Sequence, residues 1–172
     1  MKKSHLTLIA SLSVTVAVLA MGCGGKSKMT VAEFVEKGYE LQAKHETTAA
    51  PLRIKFDAAT ANLAPADKLP AEVTDTLTKL FDEEVRFAGE LDGIDAPKEA
   101  KDIQTEAVAA LKADAAYGRK VMGAIGNGAT LGDLNTAFEN DEGVAAQTRR
   151  ENACKSMQKL ADDNGIKVGM DC

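Results

Sequence analysis

The sequence predicts an all-α fold, and three observations carry that reading. From Thr30 to Gly165 apolar residues recur at spacings of three and four, the period of a helix with one buried face. No stretch alternates β-branched and polar residues as a half-buried strand would. Each periodic run is bounded by a capping residue, a proline or a glycine. Four amphipathic helices with short connections pack most simply as an up-and-down bundle. The expectation is a four-helix bundle with a kinked first helix and a C-terminal tail tied back by a disulfide.

The first helix opens at Thr30, whose hydroxyl can cap it while Glu33 reaches back to the cap amide. Its stripe runs Phe34, Gly38, Leu41, His45, Thr48, Leu52, Phe56, Ala59 and Leu63. Pro51 interrupts it. An interior proline removes a backbone hydrogen bond and costs about 3 kcal/mol, so this helix is kinked there or is two helices. Pro65 and Pro70 mark the next turn, and the second helix carries Val73, Leu77, Leu80, Phe81, Phe87, Ala88 and Leu91 before stopping near Gly93. Within it Asp82-Glu83-Glu84 reads as a solvated face, with Asp82 and Arg86 one turn apart as a supporting pair.

Pro97 suits the first turn of the third helix, whose apolar face continues through Ala100, Ile103, Ala107, Leu111, Val121, Met122 and Ile125. Gly126-Asn127-Gly128 ends it. Thr130 with Asp133 opens the fourth helix, which runs through Leu131, Leu134, Phe138, Cys154, Met157 and Leu160 to Gly165. Its weakest point is the Asn140–Gly143 patch, because Asn, Asp and Gly compete poorly inside a helix. Arg149, Arg150, Lys155 and Lys159 form a modest basic patch near its end that complements the helix dipole.

Ahead of these helices, Lys2 and Lys3 precede an apolar run from Leu6 to Ala20, followed by Ala20-Met21-Gly22-Cys23. A secretory signal has a positive start, an apolar stretch of roughly 7–15 residues and small residues before the cut. Spanning a bilayer takes roughly 20 apolar residues, and this run is shorter and contains Thr7, Ser11, Ser13 and Thr15. Its last four residues resemble the lipobox of bacterial lipoprotein precursors, with Ala20 where leucine is most usual. The resemblance implies cleavage before Cys23 and a diacylglyceryl group on its thiol. The expected organisation is therefore a signal peptide at 1–22, a flexible tether at 23–29 and a helical domain at 30–172. Each buried CH₂ of an acyl chain contributes about 0.8 kcal/mol, so two or three chains would hold the protein on the extracytoplasmic face of a membrane.

The chain carries a formal net charge of −5, which becomes −7 once Lys2 and Lys3 leave with the leader. A net negative domain without a basic stripe or interleaved aromatics argues against nucleic acid as a partner. With Cys23 given to the lipid, Cys154 and Cys172 remain as a pair in a compartment where disulfides persist. One intramolecular bridge is the simplest outcome, worth about 3 kcal/mol for a loop of this length. The tail from Ile166 to Cys172, if extended, is long enough to fold back along the last helix to Cys154.

Catalytic side chains are scarce. The processed chain holds one histidine, His45, and two serines, Ser27 and Ser156, with no G-x-S-x-G elbow. A di-iron site would need two Glu-x-x-His pairs, and Gln42 stands three residues before the single histidine. Haem could in principle use His45 with Met122 or Met157, and zinc could use His45, Cys154 and Cys172 without a fourth ligand. The plainer reading makes His45 a half-buried residue at the core edge. Asp162-Asp163-Asn164-Gly165 is out of register for a calcium loop and reads as a helix stop. No catalytic residue, metal site or cofactor is assigned from the sequence.

Three segments taken together, Met29-Thr30-Val31-Ala32-Glu33-Phe34, Gly93-Ile94-Asp95-Ala96-Pro97-Lys98-Glu99-Ala100 and the closing Cys154…Gly165-Ile166…Asp171-Cys172, resemble small lipid-anchored or secreted helical proteins of bacterial envelopes. Many of these carry a further cysteine in the first helix, where this chain has Tyr39, Leu41 and Gln42. The resemblance implies location and fold and no activity. The functional expectation is a membrane-anchored, non-catalytic module binding an envelope component, a protein or a peptidoglycan-associated partner. The alternative is a carrier that holds a small ligand or haem between its helices, which a large pocket inside the bundle would favour.

Overall fold

In a computed structural model the described residues are 28–126 and 128–170. The segment 1–22 expected to be a signal peptide, Cys23 and Cys172 lie outside the described residues. The regular elements are α1 (Val31–Thr60), α2 (Ala71–Asp92), α3 (Lys101–Ile125), α4 (Leu131–Phe138) and α5 (Asp141–Asp163), with a 3-10 turn at Lys98–Ala100 leading into α3. Among the described residues there is no strand, and no helix is long and apolar enough to cross a membrane.

The capping box expected at Thr30 forms, and the expected helix start at Thr130 proves to be a second one. Thr30 Oγ1 accepts from the Glu33 amide at 3.2 Å while the Thr30 amide donates to Glu33 Oε2 at 2.7 Å. Thr130 and Asp133 repeat the arrangement at 3.2 and 2.8 Å. Each cap satisfies amides that a helix start leaves unpaired, an effect of about 0.5–2 kcal/mol. α2 stops at Gly93, and α3 gives way to Gly126, whose φ of 61° only glycine adopts without strain.

Several expectations are corrected. Of the two outcomes expected at Pro51, a kink or a division into two helices, the division does not occur, and α1 runs unbroken for 30 residues. The proline and Thr47, whose carbonyl loses its partner, are both exposed, so water can serve that oxygen. On the same helix Ala49 is buried and Thr48 faces solvent, because at 3.6 residues per turn a stripe of sevens drifts by about 20° per heptad. The expected fourth helix is two: Glu139 and Asn140 leave the helix, and Asn140 Oδ1 caps α5 by accepting from the Gly143 amide at 2.9 Å. The acidic run is not a solvated face. Glu83 and Glu84 are buried, Asp82 pairs with Arg119, and Arg86 turns to Glu83 and Glu90. The basic residues of α5 form no free patch either. Arg149 reaches Glu106 at 2.7 Å, Arg150 approaches Asp114 at 3.3 Å, and Lys155 and Lys159 pair with Glu151 and Asp163.

Packing follows chain order: α1 lies on α2, α2 on α3 and α3 on α5, whereas α1 and α5 meet sparingly. Two apolar cores result. One joins Phe34 and Val35 of α1, Leu91 of α2, Ala107, Val108 and Ala110 of α3 and Met157, Leu160 and Ala161 of α5. The other joins Val73 and Leu77 of α2, Tyr117 and Val121 of α3 and Leu134 of α4. Small residues permit the close approaches. A Cβ on Gly118 would fall 2.2 Å from the Phe81 ring, and one on Gly143 would fall 2.3 Å from the Phe138 carbonyl oxygen. The loops that cap the second core are joined backbone to backbone, Leu69 donating to Ala129 O at 2.9 Å and Leu131 to Asp67 O at 3.0 Å.

The end of α5 is a glycine-terminated stop. Gly165 takes φ 69°, its amide donates to Asp162 O at 3.0 Å, and the Ile166 amide donates to Ala161 O at 2.9 Å. Ile166, Val168 and Met170 then pack against the first core. The Gln158 side chain holds the tail by donating to Val168 O at 3.0 Å and accepting from the Met170 amide at 2.9 Å.

Gln104, 1 % exposed, clasps the end of α2: its amide donates to Leu91 O at 2.7 Å and Ile94 O at 2.6 Å. Gln104→Leu leaves both carbonyls without this donor in an apolar surrounding. It should lower the unfolding free energy by about 1–3 kcal/mol, read from urea denaturation at constant slope.

Candidate functional site

Because α1 and α5 barely touch, the space between the two cores stays open. It forms a cavity of about 650 Å³ lined by all five helices and by Met170. Its walls are largely apolar, including Phe56, Leu77, Leu80, Phe81, Phe87, Leu111, Leu134, Phe138 and Met157. Gln42, Glu46 and Arg53 of α1 and Gln147, Arg150 and Glu151 of α5 stand on the two helices that flank its opening.

Inside the cavity three charged groups from three helices converge: Glu84 of α2, Asp114 of α3 and Arg150 of α5. Arg150 Nε is 3.3 Å from Asp114 Oδ2, and its Nη1 is 3.9 Å from Glu84 Oε1, too long for a hydrogen bond. Glu84 is 8 % exposed, and its Oε1 is the buried side-chain polar atom without a hydrogen-bond partner among the described residues. Burial, reinforced by the neighbouring Asp114 carboxylate, pushes the Glu84 carboxyl up to about 8, against the attraction of Arg150 and Arg53. Arg53 is itself engaged by Glu46 at 3.1 Å, which holds Glu46 below the usual carboxylate range.

His45 lies on the cavity wall with its ring stacked on Phe87, centroids 4.9 Å apart, and Nδ1 3.1 Å from Glu83 Oε1. Glu83 also accepts from Arg86 Nε at 2.9 Å, and that hydrogen bond, with His45 adding to it, keeps its carboxyl low. The two adjacent glutamates are therefore opposites: Glu83 is fully paired, and Glu84 shares one guanidinium with Asp114.

The residues weighed from sequence are partly brought together. His45, Met157 and Cys154 line the same cavity, whereas Met122 packs on the second core. Cys154 is not a free thiol. Ser156 faces outward and donates to Asn152 O at 2.8 Å, without an acid–base partner. Asp162–Gly165 form the helix stop, and among the described residues no three His, Cys, Asp or Glu side chains gather as a metal site. The groups that converge, Glu84, Asp114 and Arg150, were not singled out together by the sequence reading. Their signal was positional, since each lies in register with inward neighbours: Leu77–Glu84–Ala88, Leu111–Asp114–Gly118 and Ala146–Arg150–Ala153.

Comparison with protein-family models, with curated proteins and with solved structures returns no match.

Glu84 makes stability depend on pH in a defined direction. Its folded value of about 8 lies above the ordinary 4.5, so its contribution is fully present below about pH 4.5 and lost as pH rises through about 8. The carboxyls held low, among them Glu33, Glu46, Glu83 and Glu106, act below that window. The melting temperature should therefore fall between pH 5 and pH 8.5. Glu84→Gln should flatten that slope and raise the melting temperature at pH 8, as measured by calorimetry across buffers.

Proposed function

We propose that this protein is an extracytoplasmic carrier or sensor of a small, partly apolar molecule, tethered to a membrane by a lipid on Cys23. The cavity between α1 and α5 carries this reading: about 650 Å³, largely apolar walls and a few convergent polar groups are the dimensions and chemistry of a small-molecule site. The exterior offers less to a protein partner. Its exposed large apolar residues among those described, Tyr39, Ile54 and Val144, are scattered and form no continuous patch.

We further propose that α4 and α5 together form the fourth limb of an up-and-down bundle and that the tail is tied through a Cys154–Cys172 bridge. The first core unites the start of α1, the end of α2, the start of α3 and the end of α5, as alternating directions require. Gln158, four residues after Cys154, holds Met170, two residues before Cys172. A bridge there would pin the Met170 wall of the cavity.

Binding of the neutral fluorophore N-phenyl-1-naphthylamine should be saturable at one site per chain, with a blue shift and enhanced emission. Leu111→Trp, which places extra bulk in the cavity, should weaken it at least about tenfold while the far-ultraviolet circular dichroism is unchanged. No saturable binding by the wild type would refute the carrier reading.

The anchor is tested separately. Cys23→Ala should move the protein from the membrane fraction to the soluble exported fraction. An unmodified amino terminus elsewhere, found by mass spectrometry of the detergent-extracted wild type, would show the lipidation assignment to be wrong.

A further inference from the structure

Resting on the carrier reading, the proposal can be taken to a ligand class. The charged groups that line the cavity are His45, Glu46 and Arg53 of α1, Glu84 of α2, Asp114 of α3 and Arg150 and Glu151 of α5. Arg53 is engaged by Glu46, and Glu151 at the rim pairs with Lys155. His45 is held by Glu83 and Phe87. That leaves two carboxyls, Glu84 and Asp114, to one guanidinium, Arg150. Once Glu84 is ionised the imbalance is acidic, and its outlier is the buried Glu84 carboxyl, whose Oε1 has no hydrogen-bond partner among the described residues.

We propose that the ligand is an amphiphilic organic cation, an alkylamine-like molecule whose ammonium group donates to the Glu84 carboxyl beside Asp114 while its apolar part lies against Phe81, Phe87, Phe138 and Leu111. An ammonium supplies the positive charge that the retained proton otherwise provides, together with several hydrogen-bond donors, and a charge-assisted bond of this kind is about twice as strong as a neutral one. An anionic amphiphile would instead need Arg53 or Arg150 freed from its carboxylate. A metal ion would find too few ligands, since the two carboxyls are accompanied by an arginine.

Proton movement follows from the occupancy of Glu84. Without ligand below pH 8 its carboxyl holds a proton. The entering ammonium takes the place of that proton, which leaves to solvent, so charge within the site is conserved. Affinity should then rise with pH, approaching about tenfold per unit well below pH 8, and level off above it. An alkylammonium, like a lysine amine, keeps its own charge to about pH 10, so the ligand does not titrate in this window.

The test is isothermal titration of the full chain carrying Cys23→Ala with decylammonium, decanol and decanoate, each below its aggregation concentration, in buffers of differing ionisation enthalpy. The expected result is decylammonium binding at least about tenfold more tightly than the other two, with release of close to one proton at pH 6.5. Glu84→Gln should erase most of that preference, a loss of about 10- to 100-fold for decylammonium and little change for decanol. Asp114→Asn provides a second variant and should reduce the preference in the same direction. Equal binding of decanol and decylammonium without proton release would overturn the cation assignment while the carrier reading stands. Tightest binding of decanoate would overturn it in favour of recognition by the arginines. Binding of the naphthylamine fluorophore with none of the three would also overturn it. Failure of all four probes would take the carrier reading down together with it.

Discussion

The placement of α5 depends on the junction where Tyr117 meets Asn140. The Tyr117 hydroxyl sits between the Ala137 carbonyl, to which it donates, and Asn140 Oδ1 at 2.9 Å, and the same oxygen caps α5 through Gly143. Phe138 packs edge-on to the Tyr117 ring, and Gly143 leaves no Cβ to separate α5 from that corner. One phenol on α3 thereby joins the last turn of α4, the cap of α5 and the second core. Every group that α5 brings to the cavity, Arg150 above all, takes its position from this corner, because a helix is rigid in both phase and rise over its length.

Between the cores the molecule tolerates an arrangement that a purely stabilising design would avoid. A buried carboxyl without its own counter-ion costs free energy unless it is neutralised, and here Glu84 is neutralised by retaining a proton beside Asp114. The first core supplies compensation: its Ala100, Ala107, Ala110, Ala153 and Ala161 are all buried, letting the helix backbones come close there. Polar groups held under strain at the wall of a cavity are where binding energy can be gained on ligand entry, since a suitable partner removes a penalty already present in the empty site.

Much of the fold is legible in the chain. The Thr30–Glu33 and Thr130–Asp133 boxes, the stop at Gly93, the Gly126 break and the Gly165 stop are local devices whose chemistry is complete within four or five residues. The expected weakness at Asn140–Gly143 was legible too, although its outcome, a full break, required Tyr117 from another helix to secure the cap. The acid run was misread because charge alone was weighed against solvent. Glu84 lies on the same face as Leu77, Ala88 and Leu91, and that periodicity pointed inward.

The sequence by itself determined the helical class and the ends of most helices, because periodicity and capping are properties of short segments. Tertiary structure alone decided that α1 and α5 stand apart, that an acid from α2 meets an acid from α3 and that one arginine from α5 faces both. Those facts arise from the relative phase of helices separated by dozens of residues. That phase is set by side chains such as Gly118, Gly143 and Tyr117, whose effect exists only once another helix lies against them.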